Sequence, residues 1–268
     1  MYDYLDESFR KENSSEYILS IHVSLNGFSF CVRGNDKKLL LFKHTSVKIS
    51  NEQLLTRRFE EWLHEEELLQ QKYRHTEILF FAKYFTLLPE NFNNERSFAD
   101  VGHLLFPVEI REHSVSAMEE LNANLLFLLP DGFKKLLDKN FDSFTIRHAV
   151  EKMLGRNESE ITQKQVRLLF NENDLFLLYF DENQLILCNV FSIKHANDAI
   201  YYTITALKQF RFTIKETPAF VAGKSVFLND FMQLLTKYFD TVNHFIPVEN
   251  KEEQIDQKML SEHPCLFN

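Results

Sequence analysis

Glycine is scarce in this chain, with six in 268 residues, against an average usage of about 7%. Backbone cradles for phosphate rely on glycine, because their N–H groups must approach the anion without a Cβ in the way. The three cysteines, Cys31, Cys188 and Cys265, are odd in number, far apart and without a CxxC spacing. That argues against a zinc site and fits reduced, structural thiols. No stretch approaches the roughly 18 consecutive apolar residues needed to span a bilayer. The opening MYDYLDESFRKENSSEY is polar and acidic rather than signal-like, so a cytoplasmic location with no membrane contact is expected. No basic stripe offsets the formal net charge of −9, which would repel a nucleic-acid backbone over most of the surface. The densest charge run, EEWLHEEE from Glu60 to Glu67, is itself acidic and reads as a solvated helix face.

What the chain does have is phenylalanine, 27 residues of it, within a hydrophobic fraction of 44%. That supplies apolar surface for a large core or two smaller ones, and the length favours two domains of the usual roughly 100–200 residues. From Tyr17 to His44 three apolar-rich runs are separated by Asn26-Gly27 and Gly34-Asn35-Asp36, turn signals that predict a three-stranded antiparallel meander. A helix follows with Ser50 as N-cap, Gln53 in the capping-box position, and Leu55, Phe59, Trp62 and Leu69 on one face. Glu77–Ala82 then returns as a buried strand of the parallel type. The same order recurs from Gln165: three strands with polar turns at Asn171–Asp174 and Asp181–Asn183, a helix bearing Ile200, Ile204, Leu207 and Phe210, and the strand PAFVAG. The duplication predicts two domains of βββαβα type with mixed sheets, 17–158 and 159–246, joined near the polar run Gly155–Glu160. Residues 1–16 and 247–268 read as polar tails.

The doubled meander, helix and strand resemble the actin-like ATPase superfamily, a ribonuclease H-like α/β fold shared with Hsp70 chaperones and sugar kinases. More closely, LSIHVSLNGFSF from Leu19 and YFTLLPENF from Tyr84 resemble an uncharacterised Bacteroidetes family, a domain of unknown function with an actin-like fold. In the superfamily, two β-hairpin turns clasp the phosphates and a Gly-rich strand-to-helix turn holds the adenosine. Where the first hairpin would carry an Asp and, two residues later, a Gly, this chain has His22 and Ser24. An imidazole cannot supply the carboxylate that orients a hydrated metal ion, and Ser24 places a Cβ where phosphate would approach. The second hairpin, Phe170–Phe176, has no Gly, and its Asn171 and Asp174 are turn formers. At the third position FVAGKS keeps Gly223 of a glycine pair, with Ala222 in place of the other. Gly223, Lys224 and Ser225 are therefore the candidate, degenerate nucleotide-binding residues. The helix expected after them carries Leu228, Phe231, Leu235 and Tyr238 as an apolar stripe, and its N-terminus can accept an anion.

AGKS also invites a Walker A reading, but the first required Gly position is Pro218, which fixes φ and lacks an N–H. Gly27-Phe28-Ser29-Phe30-Cys31 lacks the second Gly of a nucleophile elbow. His64 lacks a second His for a zinc-protease helix. His103 and His113 flank an expected strand containing Pro107 and read as isolated histidines. His195 with Asp198 fits a helix entrance. The aromatic run Phe80–Phe92 reads mostly as core, with Pro89 marking an edge or turn that can present a sticky patch to another chain. Together these readings imply no catalytic residue, no metal and no cofactor, and a binding or scaffold module that meets a protein partner or a second copy of itself. The alternative is a divergent ATPase or kinase that uses ATP and magnesium in the cleft between its domains.

Overall fold

Short apolar alternations closed by positive-φ turns build both halves of the molecule. The structure is a computed structural model, and it describes residues 3–106, 112–154, 164–182, 184–210, 213–245 and 257–263. The chain divides into two compact units, Met1–Ala149 and Val150–Asn268. The run Gly155–Glu160 and the expected strand around Pro107 lie outside the described residues.

In the first unit β1 (Tyr4–Leu5) adds to the edge of a meander formed by β2 (Ile18–Ser24), β3 (Gly27–Arg33) and β4 (Leu39–Ser46). Gly27 opens β3 at φ +138°, and a Cβ there would lie 2.4 Å from the Thr45 carbonyl oxygen, so this register requires glycine. At the next turn it is Lys37, rather than the glycine or asparagine before it, that takes positive φ. Helix α1 (Glu52–Glu65) starts one residue later than the sequence predicts: the Asn51 side chain, not Ser50, accepts from the Leu54 N–H at 3.1 Å. It leads to β5 (His75–Phe80), which lies parallel to β2.

Between β5 and the last strand of this sheet the chain builds a small second sheet that the duplication pattern does not announce. β6 (Phe85–Pro89), α2 (Glu95–Leu105), β7 (Glu112–Met118) and β8 (Ala123–Leu129) form it, in strand order β6-β8-β7. Leu88, Phe98, Phe106, Leu126 and Leu128 make its own core. The aromatic run is thereby divided: Phe80 is buried, β6 is an edge strand ending at Pro89, and Phe92 is partly exposed. Helix α3 (Phe133–Asn140) and β9 (Phe144–His148), parallel to β5, complete the unit.

One face of the main sheet is apolar because the odd residues of β2 and the even residues of β3 are. Leu19, Ile21, Val23, Phe28 and Phe30 are all essentially inaccessible, and aromatic side chains of α1 and α3 cover them. Phe59 sits at the centre, its ring 5.4 Å from Phe28, 5.9 Å from Trp62 and 5.4 Å from Phe133.

Helix α4 (Ala149–Leu154) spans the division. The second unit then repeats the order with β10 (Gln165–Asn171), β11 (Asp174–Asp181), β12 (Gln184–Ser192), α5 (Ala196–Gln209), β13 (Ala219–Lys224), α6 (Leu228–Leu235) and β14 (Val242–His244). Its sheet runs β12-β11-β10-β13-β14, the counterpart of β4-β3-β2-β5-β9. In each case the first strand lies between its hairpin partner and a parallel newcomer, as the sequence repeat predicts. Val166, Leu168, Phe170, Leu177 and Tyr179 pack with Ile204, Leu207, Phe231 and Leu235 of α5 and α6. On the other face Arg167, 2% exposed, has its guanidinium carbon 4.8 Å from the centre of the Phe180 ring and 5.3 Å from that of Phe245. It also donates to the Met153 carbonyl at the end of α4. Helix α7 (Gln257–Glu262), within the segment expected as a polar tail, buries Leu260 and lies against β13. No helix among the described residues is long and apolar enough to cross a membrane.

Replacing Phe59 with alanine should remove the centre of the first unit's core and cost about 3–5 kcal/mol. Leu54→Ala on the exposed side of the same helix should stay within about 0.5 kcal/mol. Urea denaturation of both variants checks the contrast.

Candidate functional site

Three turns occupy the positions where the resemblance places nucleotide contacts. The first, between β2 and β3, lies in the first unit. Ser24 is buried, and its Oγ accepts from the Asn26 N–H at 3.2 Å while donating to the Gly27 carbonyl at 3.2 Å. The side chain standing where phosphate would need a glycine thus closes its own hairpin. His22 points away from the apolar core and stacks on Phe81, with ring centres 4.2 Å apart. Its Nδ1 is 3.4 Å from Ser29 Oγ, and its Nε2 is buried without a hydrogen-bond partner. Burial, reinforced by nearby His44, pushes the His22 pKa down to about 3, so the ring is neutral.

The second and third turns meet in the second unit because β10 and β13 are parallel neighbours whose ends emerge together, Asn171 beside Lys224. Glu172 takes φ +52° at the hairpin tip, and its N–H donates to the Lys224 carbonyl at 2.6 Å. Asp174 accepts from Ser192 Oγ at 2.8 Å, which ties the hairpin to β12. Asn171 and Asp174 thus sit at the turn the sequence predicts.

Gly223 has φ +91°, and a Cβ on it would lie 1.9 Å from the Phe170 carbonyl oxygen and 2.8 Å from the Phe170 nitrogen. Its lack of a side chain therefore serves the contact between two strands. Lys224 and Ser225 follow, both half-buried. Ser225 Oγ accepts from the Phe227 N–H at 3.2 Å and its carbonyl accepts from Leu228, which turns the chain into α6. Phe231 and Leu235 of the expected stripe are fully buried, whereas Tyr238 lies past the helix end and is exposed. The structure brings Gly223, Lys224 and Ser225 together beside Glu172. Sequence reasoning missed Phe170 and Glu172. The signal for Phe170 was available, since an isolated glycine in a strand marks close backbone approach; Glu172 had none, because its part is played by the main chain.

A groove of about 570 Å³ lies nearby, lined by His195, Asn197, Phe227, Asp230, Gln233 and Lys237 among others. One carboxylate and one ammonium on its walls leave little net field to gather an anion. His195 and Asp198 form the entrance to α5 as predicted: Asp198 accepts from the N–H groups of Lys194 and His195 at 2.9 and 3.0 Å. His113 contacts Glu95 at 2.9 Å. Among the described residues no group of three or more His, Cys, Asp or Glu side chains is placed to hold a metal ion. Cys31 and Cys188 are free thiols, and Cys265 lies outside the described residues.

The duplicated meander-helix-strand units with parallel return strands define an actin-like ATPase fold, and solved structures bear this out. The chain is similar to a Bacteroides thetaiotaomicron protein of actin-like ATPase fold, with 19% identity over 88% of this chain and 93% of that one and a TM-score of 0.79. It is also similar to a chain of the PilM–PilN type IV pilus biogenesis complex, with 13% identity over 93% and 96% of the two chains and a TM-score of 0.60. Residues 6–242 match the family described as "Protein of unknown function (DUF3822)", and the chain belongs to that family. No curated protein matches it in sequence.

Gly223→Ala should destabilise the second unit by about 2–5 kcal/mol, combining a strained φ with overpacking. Lys224→Ala should cost less than about 1 kcal/mol. Chemical denaturation in the absence of any ligand separates the two.

His148 is buried as well, donating from Nε2 to the Ala82 carbonyl at 2.8 Å, and burial lowers its pKa to about 4. Both this ring and His22 remain neutral in the fold at pH values where the unfolded chain, with an ordinary pKa of about 6.5, takes up protons. Stability should therefore be independent of these groups above pH 6.5 and fall as pH drops towards 4, by up to about 1.4 kcal/mol per pH unit for each histidine. Urea midpoints measured from pH 7.5 to 4.5 should show that slope, and His148→Gln should reduce it.

Proposed function

We propose that this protein is a cytoplasmic, non-catalytic binding or scaffold module built on the actin-like fold. The observation that carries the reading is that backbone donors at both hairpin tips are already engaged within the fold. Asn26 N–H donates to Ser24 Oγ, and Glu172 N–H donates to the Lys224 carbonyl. A phosphate clasp needs such donors free and aimed at the anion, whereas Glu172 and Asp174 add negative charge beside the second turn. The neutral, stacked His22 supplies no carboxylate for a metal-bound water. The similarity to a chain of a PilM–PilN complex supports a protein as the partner. The alternative, a divergent ATP-binding protein, is favoured by one feature, the Gly223-Lys224-Ser225 turn that still leads from a strand into a helix.

A nucleotide present at 100 times its Kd would add about 2.7 kcal/mol to stability. At millimolar MgATP we expect no displacement of the melting temperature and no phosphate release above the buffer rate. A rise of about 5 °C or more that disappears in Ser225→Ala would favour the alternative, and magnesium-dependent turnover abolished by Asp174→Asn would overturn the non-catalytic reading.

A further inference from the structure

Sheet edges are templates for pairing with another chain, and proteins guard them with short strands, charges, proline or bulges. Six described strands stand at an edge, and five of them are guarded or engaged. β1 has two residues and β14 three. β9 carries Arg147, paired with Glu77 at 3.4 Å, and β6 ends in Pro89. β12 has a register shift opposite Tyr179 and Phe180, and its Val190 N–H goes to the Asn189 side chain at 2.8 Å.

The sixth is β7, seven residues reading EHSVSAM, without proline or glycine and paired with β8 in unbroken register. The Leu128 N–H donates to the Tyr84 carbonyl, so Leu128 directs its main chain towards β6, and its neighbours Phe127 and Leu129 direct theirs towards β7. Ser114 and Glu112, the partners of Phe127 and Leu129, therefore bond inward, while His113, Val115 and Ala117 face outward. None of these three makes a main-chain hydrogen bond on that side to any described residue. The strand's one carboxylate does not guard the edge: Glu112 accepts from the Gly132 and Lys134 N–H groups at 2.8 and 3.2 Å, at the start of α3. His113 likewise turns to α2, with Nε2 2.9 Å from Glu95 and its ring beside Phe98.

We propose that β7 pairs antiparallel with β7 of a second copy, about a two-fold axis at Val115, joining the two β6-β8-β7 sheets edge to edge. A two-fold contact requires one patch to complement itself. With Val115 opposite Val115, His113 and Ala117 fall opposite each other, so every outward residue of each copy enters a hydrogen-bonded pair. Ser114 lies opposite Ser116 and Glu112 opposite Met118, and no pair sets like charges face to face. In a molecule of net charge −9, two copies can approach along this edge with little repulsion, because Glu112 is already held at a helix N-terminus of its own chain. A ladder this short buries a small interface, below about 1,200 Å², which is the range of weak association. The inference goes beyond the scaffold reading and does not depend on it, since the edge is open whether or not nucleotide binds.

The test is sedimentation of the full chain up to about 0.5 mM, where an association with a Kd of about 10⁻⁴ M becomes visible. The expected result is a concentration-dependent dimer. Ala117→Pro removes an outward N–H at an exposed position while sparing the inward ladder, and should weaken the dimer about tenfold or more. Ser114→Cys and Ser116→Cys chains, mixed and oxidised, should crosslink well above the wild-type level. In this register the two positions form a non-hydrogen-bonded pair with Cα atoms about 4.5 Å apart, within disulfide reach. A monomer throughout the concentration range, a dimer indifferent to a folded Ala117→Pro variant, or a mixture that crosslinks no more than wild type would each overturn the proposal. Should Ala117→Pro fail to fold, the sedimentation of the wild-type chain and the crosslink decide. MgATP turnover and melting temperature, measured on the same samples, report separately on the scaffold reading.

Discussion

The architecture of the second unit depends on one contact, the main chain of Gly223 pressed against the carbonyl of Phe170. β10 is the middle strand of its sheet and pairs with β13 from Ala219 to Lys224; at Gly223, where φ is +91°, a Cβ would be driven into the Phe170 carbonyl, so the pairing there requires glycine. Through that contact the hairpin tip reaches the start of α6, the Glu172 N–H finds the Lys224 carbonyl, and Phe170 meets Phe231 with ring centres 4.9 Å apart. The candidate nucleotide turn and the core of the unit are thus one structure. A substitution at Gly223 tests packing before it tests binding, whereas Lys224 and Ser225 can be changed with less effect on the sheet.

The repeated part of the fold was legible because its information is local. Alternating apolar residues closed by Asn-Gly or Asn-Glu-Asn-Asp specify a meander wherever they occur, and the helix faces follow from a 3.6-residue period through Trp62 in α1 and Leu207 in α5, whereas Leu69 lies in a separate turn after α1 and Phe210 is exposed past the end of α5. The inserted sheet of β6, α2, β7 and β8 was not legible as a unit. Its strands pair across Asn94–Leu105, and its small core draws on Leu88, Phe98 and Leu128, residues far apart in sequence with no repeat to compare. β9 is hidden for a similar reason: FTIRH stands between α3 and α4, and its parallel place beside β5 makes it a strand.

At the site, sequence shows where the residues depart from the superfamily's pattern but not what those residues do in the fold. That His22 is not a carboxylate can be read directly, and so can the absence of glycine at position 24. That Ser24 closes the hairpin, that Phe81 covers the imidazole, and that Glu172 binds Lys224 through main-chain atoms depend on three-dimensional neighbours. The same holds for Arg167, an ordinary-looking charge in a strand that proves to be held between Phe180 and Phe245.

The closed first hairpin also bears on how easily this surface can change over evolutionary time. An aspartate at position 22 alone would set a carboxylate against the Phe81 ring, in the site whose burial already keeps the imidazole uncharged. A glycine at position 24 alone would remove the Ser24 hydroxyl that closes the hairpin and gain no metal ligand. Each step towards a phosphate clasp is unfavourable until the other has been taken, so single substitutions lead uphill. The hairpin behaves as a ratchet, closed by Ser24 and packed by Phe81 in a way that neither substitution alone reverses.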